Sequence, residues 1–562
     1  MRLFLILPLA AGVFAADEKA ASAQETGPVS TEFPLRIQEE TAKFPTFGTK
    51  DYFNFVFRSG SPAVQLAGPI RLADYVVDGK IELSLRSYTE LVLANNTDIQ
   101  LQKVLVEPSK NAITRAFSLF DPVLNANFNA TRSDRPATNV LEGAQIVSQL
   151  QQPAALNYFQ TLPTGTQLQG FYNFNRFSTN NVNERVNPSY ASNMQFRFVQ
   201  PLLRNRGSYI NRVPILAARS RLRSTEHATE DQLIRLLAQA ENAYWDVVGA
   251  RENLHVQEQA LALADASLKR AQRELELGAL SALEIYQPQA QYARAEIFVT
   301  QARYRLQQAE DALRRQISLD LDPNLRNLPI VLTEPVLPPN DNTQFDRERL
   351  VAEAERNRPD IRAQLAQLDV DEYQIKTAVN NLRPDLGLTG AYTSQGVGGT
   401  TLPFGGGPPI PGGFADAWSQ MWGFNFPVYG FGLQLRLPIK DRRASADYAD
   451  AVVTKKADAL RLRRLEQQTR LEVLNAISQV ENSRASVELA KIAADLAQKR
   501  VEADQRRYDL GTITLFFLLA SQNDLQQAQS ELVNNSIQYR RNQLNLLLRT
   551  GTLLQERGVV IK

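Results

Sequence analysis

Two stretches of this 562-residue chain restrict its shape more than anything else in it. Ser208 to Leu275 and Lys440 to Asp509 are rich in Ala, Leu, Gln, Arg and Glu; Gly249 is the only glycine of the first, and the second holds neither Gly nor Pro. Each runs to about 70 residues, which at a rise of 1.5 Å per residue makes a rod of about 100 Å. Apolar positions in the first (Leu233, Leu236, Leu237, Ala240, Tyr244, Val247) recur at three- and four-residue spacing. That is a coiled-coil-like stripe whose charged and Gln faces meet water. The chain is elongated, so counting globular domains misleads.

Each rod ends in a glycine turn. Leu275-Glu276-Leu277-Gly278-Ala279-Leu280-Ser281 leads into a helix to about Ile317, and Tyr508-Asp509-Leu510-Gly511-Thr512-Ile513-Thr514 into one to about Arg549. Gly as helix stop followed by Ser or Thr as N-cap predicts two αα-hairpins. Each second limb is about half as long as its rod, so another segment must cover the remainder.

An internal duplication supplies it. Asn95-Asn96-Thr97-Asp98-Ile99 matches Asn357-Arg358-Pro359-Asp360-Ile361, and Pro122-Val123-Leu124 matches Pro384-Asp385-Leu386, at one constant offset. At a second offset Gly278, Gln289, Ala295 and Leu313 match Gly511, Gln522, Ala528 and Leu546. The unit reads short helix, extended segment, long helix, short helix, twice over. The expected divisions are 1–23 as signal peptide, 24–80 as N-terminal extension and 81–320 as first repeat. A Pro-rich linker at 321–342, the second repeat at 343–552 and a tail at 553–562 follow. A helix from about Leu85 to Leu119, stacked end to end on that from Ser281 to Ile317, would match the length of the rod.

The extended segments alternate with period two: Leu124-Asn125-Ala126-Asn127-Phe128-Asn129-Ala130, Met194-Gln195-Phe196-Arg197-Phe198 and Phe431-Gly432-Leu433-Gln434-Leu435-Arg436-Leu437. These are strands between two different media. A soluble sandwich and a membrane barrel with a polar lumen both fit the alternation. Geometry favours the barrel: about four principal strands per chain are too few to close around water, and no second sheet is available to cover their apolar faces. Three identical chains pooling strands would give about twelve without a lipid-exposed edge. Asn125, Asn127, Asn129, Gln195, Arg197, Gln434 and Arg436 are then the lumen-facing residues. Arg132–Gly165 and Gln395–Gly413 read as loops outside the membrane. Thr166–Phe177 is an extra strand-like piece, either an added hairpin arm or a strand extension.

Composition excludes most alternatives. The chain has no Cys, which removes disulfides, thiolate metal sites, Cys nucleophiles and a lipid anchor on cysteine. Its only histidines, His227 and His255, stand about 42 Å apart along one helix and cannot share a ligand. A net charge of +2 gives no field for nucleic acid. No phosphate-binding loop or nucleophile elbow appears, so no cofactor, metal site or enzyme activity is expected. Leu3–Val13 is a short apolar run after Arg2, with small-residue cleavage patterns at Val13-Phe14-Ala15 and Ala21-Ser22-Ala23. It reads as a secretory signal peptide, and the exported chain enters a membrane, if it does, without transmembrane helices.

On the duplicated order of these blocks, the Asn-x-x-Asp-Ile segments at 95–99 and 357–361, the strand-ending Gln200-Pro201-Leu202-Leu203 and the turn blocks Leu275–Gln289 and Tyr508–Gln522, residues 80 to 552 resemble the TolC-like outer membrane efflux proteins. The resemblance implies a mixed α/β fold: a homotrimer with a twelve-stranded outer membrane β-barrel on a long periplasmic α-helical barrel, passing exported solutes. It implies a periplasmic adaptor, an inner-membrane transporter and outer membrane lipid as partners. It places adaptor docking at the tips Leu277, Gly278, Ala279, Leu280 and Ser281, and Leu510, Gly511, Thr512, Ile513 and Thr514. Tyr508 matches a position that holds the tunnel mouth shut. Where a known relative carries an acidic ring, the second unit has Phe517 and Ala520 and the first Glu284 and Gln287. Glu284 is the surviving acid, and a Phe517 constriction is the substitute. As bare residues, Tyr508 and Phe517 also read as packing aromatics, and Glu284 as a solvated charge. A conduit for type I protein secretion shares every one of these features, and a periplasmic coiled-coil scaffold shares the rods.

Overall fold

The computed structural model describes Lys50 and residues 75–77, 79–278, 281–319, 325–337, 344–403 and 407–558. The expected signal peptide, most of the N-terminal extension, both ends of the Pro-rich linker, and Ala279 and Leu280 lie outside the described residues.

The two rods are present as α4 (Ser208–Glu276) and α9 (Arg442–Asp509). Their shorter limbs are α5 (Tyr286–Gln316) and α10 (Leu515–Thr550). Pro214 is accommodated inside α4 in its second turn. The helix expected over Leu85–Leu119 is instead three: α1 (Leu85–Asn95), α2 (Thr97–Val104) and α3 (Glu107–Phe117). Asn96 breaks the first pair: its side-chain oxygen accepts from Asp98 N at 2.9 Å and Ile99 N at 3.2 Å, an N-cap that outcompetes helix continuation. Pro108 starts α3. The second unit divides at the matching place, into α6 (Arg347–Asn357) and α7 (Pro359–Asn381). Arg358 there has φ/ψ of −63/123, against −64/121 at Asn96. The duplication therefore extends to backbone conformation, with an ion-paired arginine in place of a capping asparagine.

End-to-end stacking also holds. Asn96 Nδ2 donates to Gln316 O at 3.0 Å, and Ser318 Oγ donates to Asn95 O at 2.9 Å, which seats the end of α5 on the α1–α2 junction. Packing then gives four parallel columns in the order α2–α3 with α5, α4, α7 with α10, and α9. Around the middle of the rods β1 (Val76–Val77), β2 (Lys80–Leu83) and β8 (Ile330–Leu332) form a small sheet, β2 and β8 parallel. Ile81, Leu83, Tyr88, Leu91, Tyr244, Leu313 and Ile330 make the largest apolar core beneath it. A strand thus stands within the segment read as a linker, and the end of the N-terminal extension packs on the rods.

The second sheet stands at one end of the rods. Its members are β3 (Val123–Phe128), β4 (Thr131–Pro136), β5 (Ile146–Thr161), β6 (Gln167–Thr179), β7 (Val186–Pro201), β9 (Asp385–Thr401) and β10 (Phe426–Arg436). The order is β10-β9-β7-β6-β5-β3, all antiparallel, with β4 also on β5. β3 and β4 share one register on β5, and Asn129 N donates to Pro153 O at 2.9 Å between them, so the two form one arm. Six arms stand side by side, which corrects the expected count of about four. Arg132–Gly165 is not a loop: it contains β5, and the extra piece at 166–177 is β6, its hairpin partner. Gln-, Asn- and Pro-rich composition masked β5, although its residues still alternate between faces. Gln395–Gly413 is likewise strand to Thr401, and a helix α8 (Phe414–Trp422) follows it.

Candidate functional site

Two places stand out for their side chains: the wall made by the large sheet and the tips of the hairpins. In the wall, pairing register sorts side chains by face. One cross-strand row runs Leu124, Tyr158, Gly170, Phe196, Tyr392, Tyr429 through all six arms. The next row, on the other face, runs Asn125, Asn157, Phe171, Gln195, Thr393, Val428. Asn127, Arg197, Gln434 and Arg436 share that second, polar face, the last two opposite Gly387 and Asp385. Asn129 follows the same parity between β3 and β4. The first face continues as Phe431, Leu433 and Leu435, the phenylalanine 79% exposed. The two edge strands β3 and β10 are exposed at every residue.

At the far end, both tips close through a glycine in the left-handed region, Gly278 at φ +73 and Gly511 at φ +72. Thr512 N donates to Arg507 O at 2.9 Å, the 6→1 bond of a Schellman motif. Leu277 and Leu510 project from the turns, 83% and 78% exposed. The expected N-caps differ in detail. Ser281 Oγ accepts from Leu283 N, and α5 begins only at Tyr286. Thr514 precedes α10 without a side-chain cap bond.

Tyr508 ties the hairpins together. Its hydroxyl donates to Glu274 Oε2 at 2.6 Å, from the last turn of α9 to the last turns of α4. The Arg270 guanidinium lies over the Tyr508 ring at 4.7 Å, donates to Glu274 Oε1 at 2.9 Å and pairs with Asp509. Beneath it Ala271, Leu515, Leu518 and Leu519 form a small apolar cluster. Burial, then the bond to Glu274, pushes the Tyr508 hydroxyl up to about 12, so it stays protonated as a donor. Partial burial raises the Glu274 carboxyl, but the bonds from Tyr508 and Arg270 outweigh it and hold it below the usual range. The bond from Arg270, then that from Gln505, lowers Asp509. Phe517 is not in this cluster; it pairs edge-to-face with Phe516 and is 56% exposed. Glu284 is exposed on the turn after Gly278.

Sequence reasoning reached Tyr508 but missed Arg270, Glu274 and Asp509. A local signal existed: Arg270 and Glu274 are an i,i+4 pair just before the turn, and Asp509 adjoins Tyr508. Which carboxylate the tyrosine meets depends on how the hairpins pack.

No described helix is long and apolar enough to cross a membrane. Among the described residues no cluster of His, Cys, Asp and Glu fits a metal ion.

Comparison with known proteins agrees with this architecture. Residues 350–552 match the model of the outer membrane efflux protein family. The chain is 23% identical to the outer membrane efflux protein BepC of Brucella suis biovar 1 over 475 residues, 83% of this chain and 86% of that one. It is 25% identical to the outer membrane protein TolC of Escherichia coli K12 over 327 residues, 57% of this chain and 62% of that one. A membrane protein from Pseudomonas aeruginosa of known crystal structure shares the fold, with a TM-score of 0.58 at 19% identity over 88% of this chain and 98% of the other. Repeat, fold and matched domain converge: residues 350–552 match the outer membrane efflux protein family, the chain as a whole is similar to TolC-like outer membrane efflux proteins, and its place is the outer membrane.

Proposed function

We propose that this chain is a trimeric conduit, taking exported solutes from a periplasmic adaptor and inner-membrane transporter through the helical tunnel and out through the barrel. One observation carries the reading: a sheet with one apolar and one polar face, ending on both sides in fully exposed edge strands. A sheet in that state needs lipid on one face, water on the other and a second copy at each edge. β3 and β10 run in opposite directions, so β10 of one copy meets β3 of the next as an antiparallel pair. The edge columns agree: α9 exposes Val453, Leu460, Leu471, Leu489 and Ile492 along its length, and α5 exposes Ile297, Phe298 and Tyr304 at the opposite edge.

Arc lengths bear on the wall. Six strands tilted about 40° at about 4.8 Å spacing span about 38 Å. Four helical columns at 8–10 Å span about 32–40 Å. Four strands would span only about 25 Å by the same spacing. With the β5–β6 hairpin in the wall, sheet and tunnel meet at equal width, and three copies bring eighteen strands in place of the expected twelve. The hairpin is anchored for it: Gly207 N donates to Thr164 O, and a Cβ on Gly165 would stand 2.4 Å from Asn205 O.

The polar face then lines the lumen, the tips dock the adaptor, and the Tyr508–Glu274–Arg270–Asp509 cluster holds the mouth closed. In detergent the protein should have three times its monomer mass and conduct ions across planar bilayers. A monomer soluble without detergent overturns the reading. Because the chain has no Cys, paired substitutions report the wall. Gln434→Cys with Asn125→Cys or Asn127→Cys should link neighbouring copies. Asn125→Cys with Gln195→Cys should not link within one copy, and a link there would put the hairpin outside the wall.

A further inference from the structure

The helix α8 has no part in the function proposed above, yet it is built tightly onto the wall. After β9 the chain folds back and lays α8 against the upper part of the apolar sheet face. Contact is backbone to backbone: a Cβ on Gly396 would stand 1.9 Å from Ala417 O, and one on Gly398 2.1 Å from Gly413 O. Ser394 Oγ donates to Met421 O at 2.6 Å, and Val397 N, above the end of β10, donates to Gln420 Oε1 at 3.1 Å. Ala417 and Met421 are fully buried beneath the helix.

A second stripe, Phe414, Trp418 and Trp422, recurs at i, i+4 and i+8 along the flank of the helix. Phe414 and Trp418 pack edge-on against Phe174 and Tyr172 at 5.0 and 5.7 Å between centroids. The three stripe residues remain 41–50% exposed, and Phe424, packed on Tyr392 at 5.9 Å between centroids, extends the patch at 45%. The only ionisable side chain in α8 is Asp416, whose carboxylate is used locally, accepting from Gly413 N at 2.7 Å. The patch is continuous with Phe196, Tyr392, Tyr429 and Phe431 on the same face.

Height decides what meets it. α8 lies over residues 394–398 of β9, which begins at Asp385 on the helical side. On a strand tilted about 40° each residue climbs about 2.5 Å, placing α8 about 22–33 Å up, at the upper limit of an apolar band about 25 Å tall. That is where Trp and Tyr rings favour the hydrocarbon–headgroup boundary.

We propose that α8 is an interfacial helix seated in the outer membrane's lipid, its Phe414–Trp418–Trp422 stripe embedded at the headgroup boundary on the outside of the barrel. The proposal rests on the reading that the apolar sheet face meets lipid, and the helix adds a shelf that fixes how deep the barrel sits.

The chain's own tryptophans test it. Trp418 and Trp422 are in α8, and Trp245, the third, is buried in the helical part. Full-length protein is reconstituted into phosphatidylcholine vesicles whose acyl chains carry bromine either near the headgroup or deep. The Trp418→Phe/Trp422→Phe variant supplies the Trp245 background for subtraction. A strand reporter, Phe431→Trp, is added in that double-Phe background. The α8 emission should fall at least twofold with shallow bromine and less with deep bromine, and the strand reporter should be quenched as well. If the reporter is quenched while α8 is not, the interfacial helix is wrong and the barrel reading stands. This holds whether aqueous acrylamide then reaches α8 (a water-exposed helix) or does not (a helix covered by protein). If neither is quenched, the reading of the apolar face fails as well.

Discussion

Replacing Tyr508 by Phe removes one oxygen and tests the proposed closing role of this cluster directly. The ring stays, so Arg270 keeps its face at 4.7 Å and its bond to Glu274 at 2.9 Å. Only the 2.6 Å bond from the hydroxyl to Glu274 is lost. A hydrogen bond to a charged group contributes about 1.5–3 kcal/mol when buried. Here the tyrosine is half-buried and the carboxylate partly solvated, so solvent screening brings the figure to about 1–1.5 kcal/mol. That shifts a closed–open equilibrium about 5- to 12-fold per copy. If three copies open together the shift is roughly 10²- to 10³-fold. The assay is single-channel recording in planar bilayers, comparing open probability for wild type and Tyr508→Phe. Acid should act on the same bond. Glu274 has a folded value below its ordinary 4.5, so its stabilisation is present above about pH 4.5 and lost as pH falls through the lower folded value. Tyr508, raised above its ordinary 10, contributes up to that value and is lost only as pH rises through about 12. The closed state should therefore be flat from pH 5 to 9 and open in stronger acid. An open probability unchanged by Tyr508→Phe, or a transition centred near neutrality, refutes the assignment.

Three further outcomes follow from single contacts. Glu241 is 1% exposed and accepts from Arg557 Nη2 at 2.5 Å and Nε at 3.1 Å. Arg557→Ala strands that carboxylate in the mid-rod core and should cost about 3–5 kcal/mol, read as a lower Tm by circular dichroism. Glu241→Gln/Arg557→Ala should recover part of that loss, and equal Tm values for the two variants would contradict a buried-charge origin. Gly511→Val meets nothing within 4 Å but must hold φ near +72. It should disturb the tip by about 1–2 kcal/mol, weaken adaptor capture in pull-downs and leave the global Tm in place. Gly398→Val should displace α8, because its Cβ would collide with Gly413 O, without preventing trimer formation by native mass spectrometry.

Features set by neighbours in sequence were legible without coordinates. The rods follow from propensity and three-four spacing over about 70 residues, a signal that averages out local exceptions. The tips follow from glycine, which alone takes φ +72 at no steric cost. The alternation at β3, β7 and β10 follows from the strand period of two, and the duplication from repeated spacing. Even the unforeseen break at Asn96 is local, a side chain capping its own following turn.

What depended on distant residues was decided only by the tertiary structure. β5 is poor in residues that favour strands and reads as loop; pairing along its length with β3, β4 and β6 makes it a strand and raises the arms from about four to six. α8 takes its place because two glycines in β9 leave room for a helix backbone, a vacancy visible only once the chain folds back. Tyr508 finds Glu274, 234 positions away, through the packing of one hairpin on another. Periods and caps are one-dimensional properties that a sequence carries whole. Strand partners, close approaches and long-range ion pairs are relations between segments, chosen by which arrangement leaves least apolar surface in water and fewest polar groups unpaired.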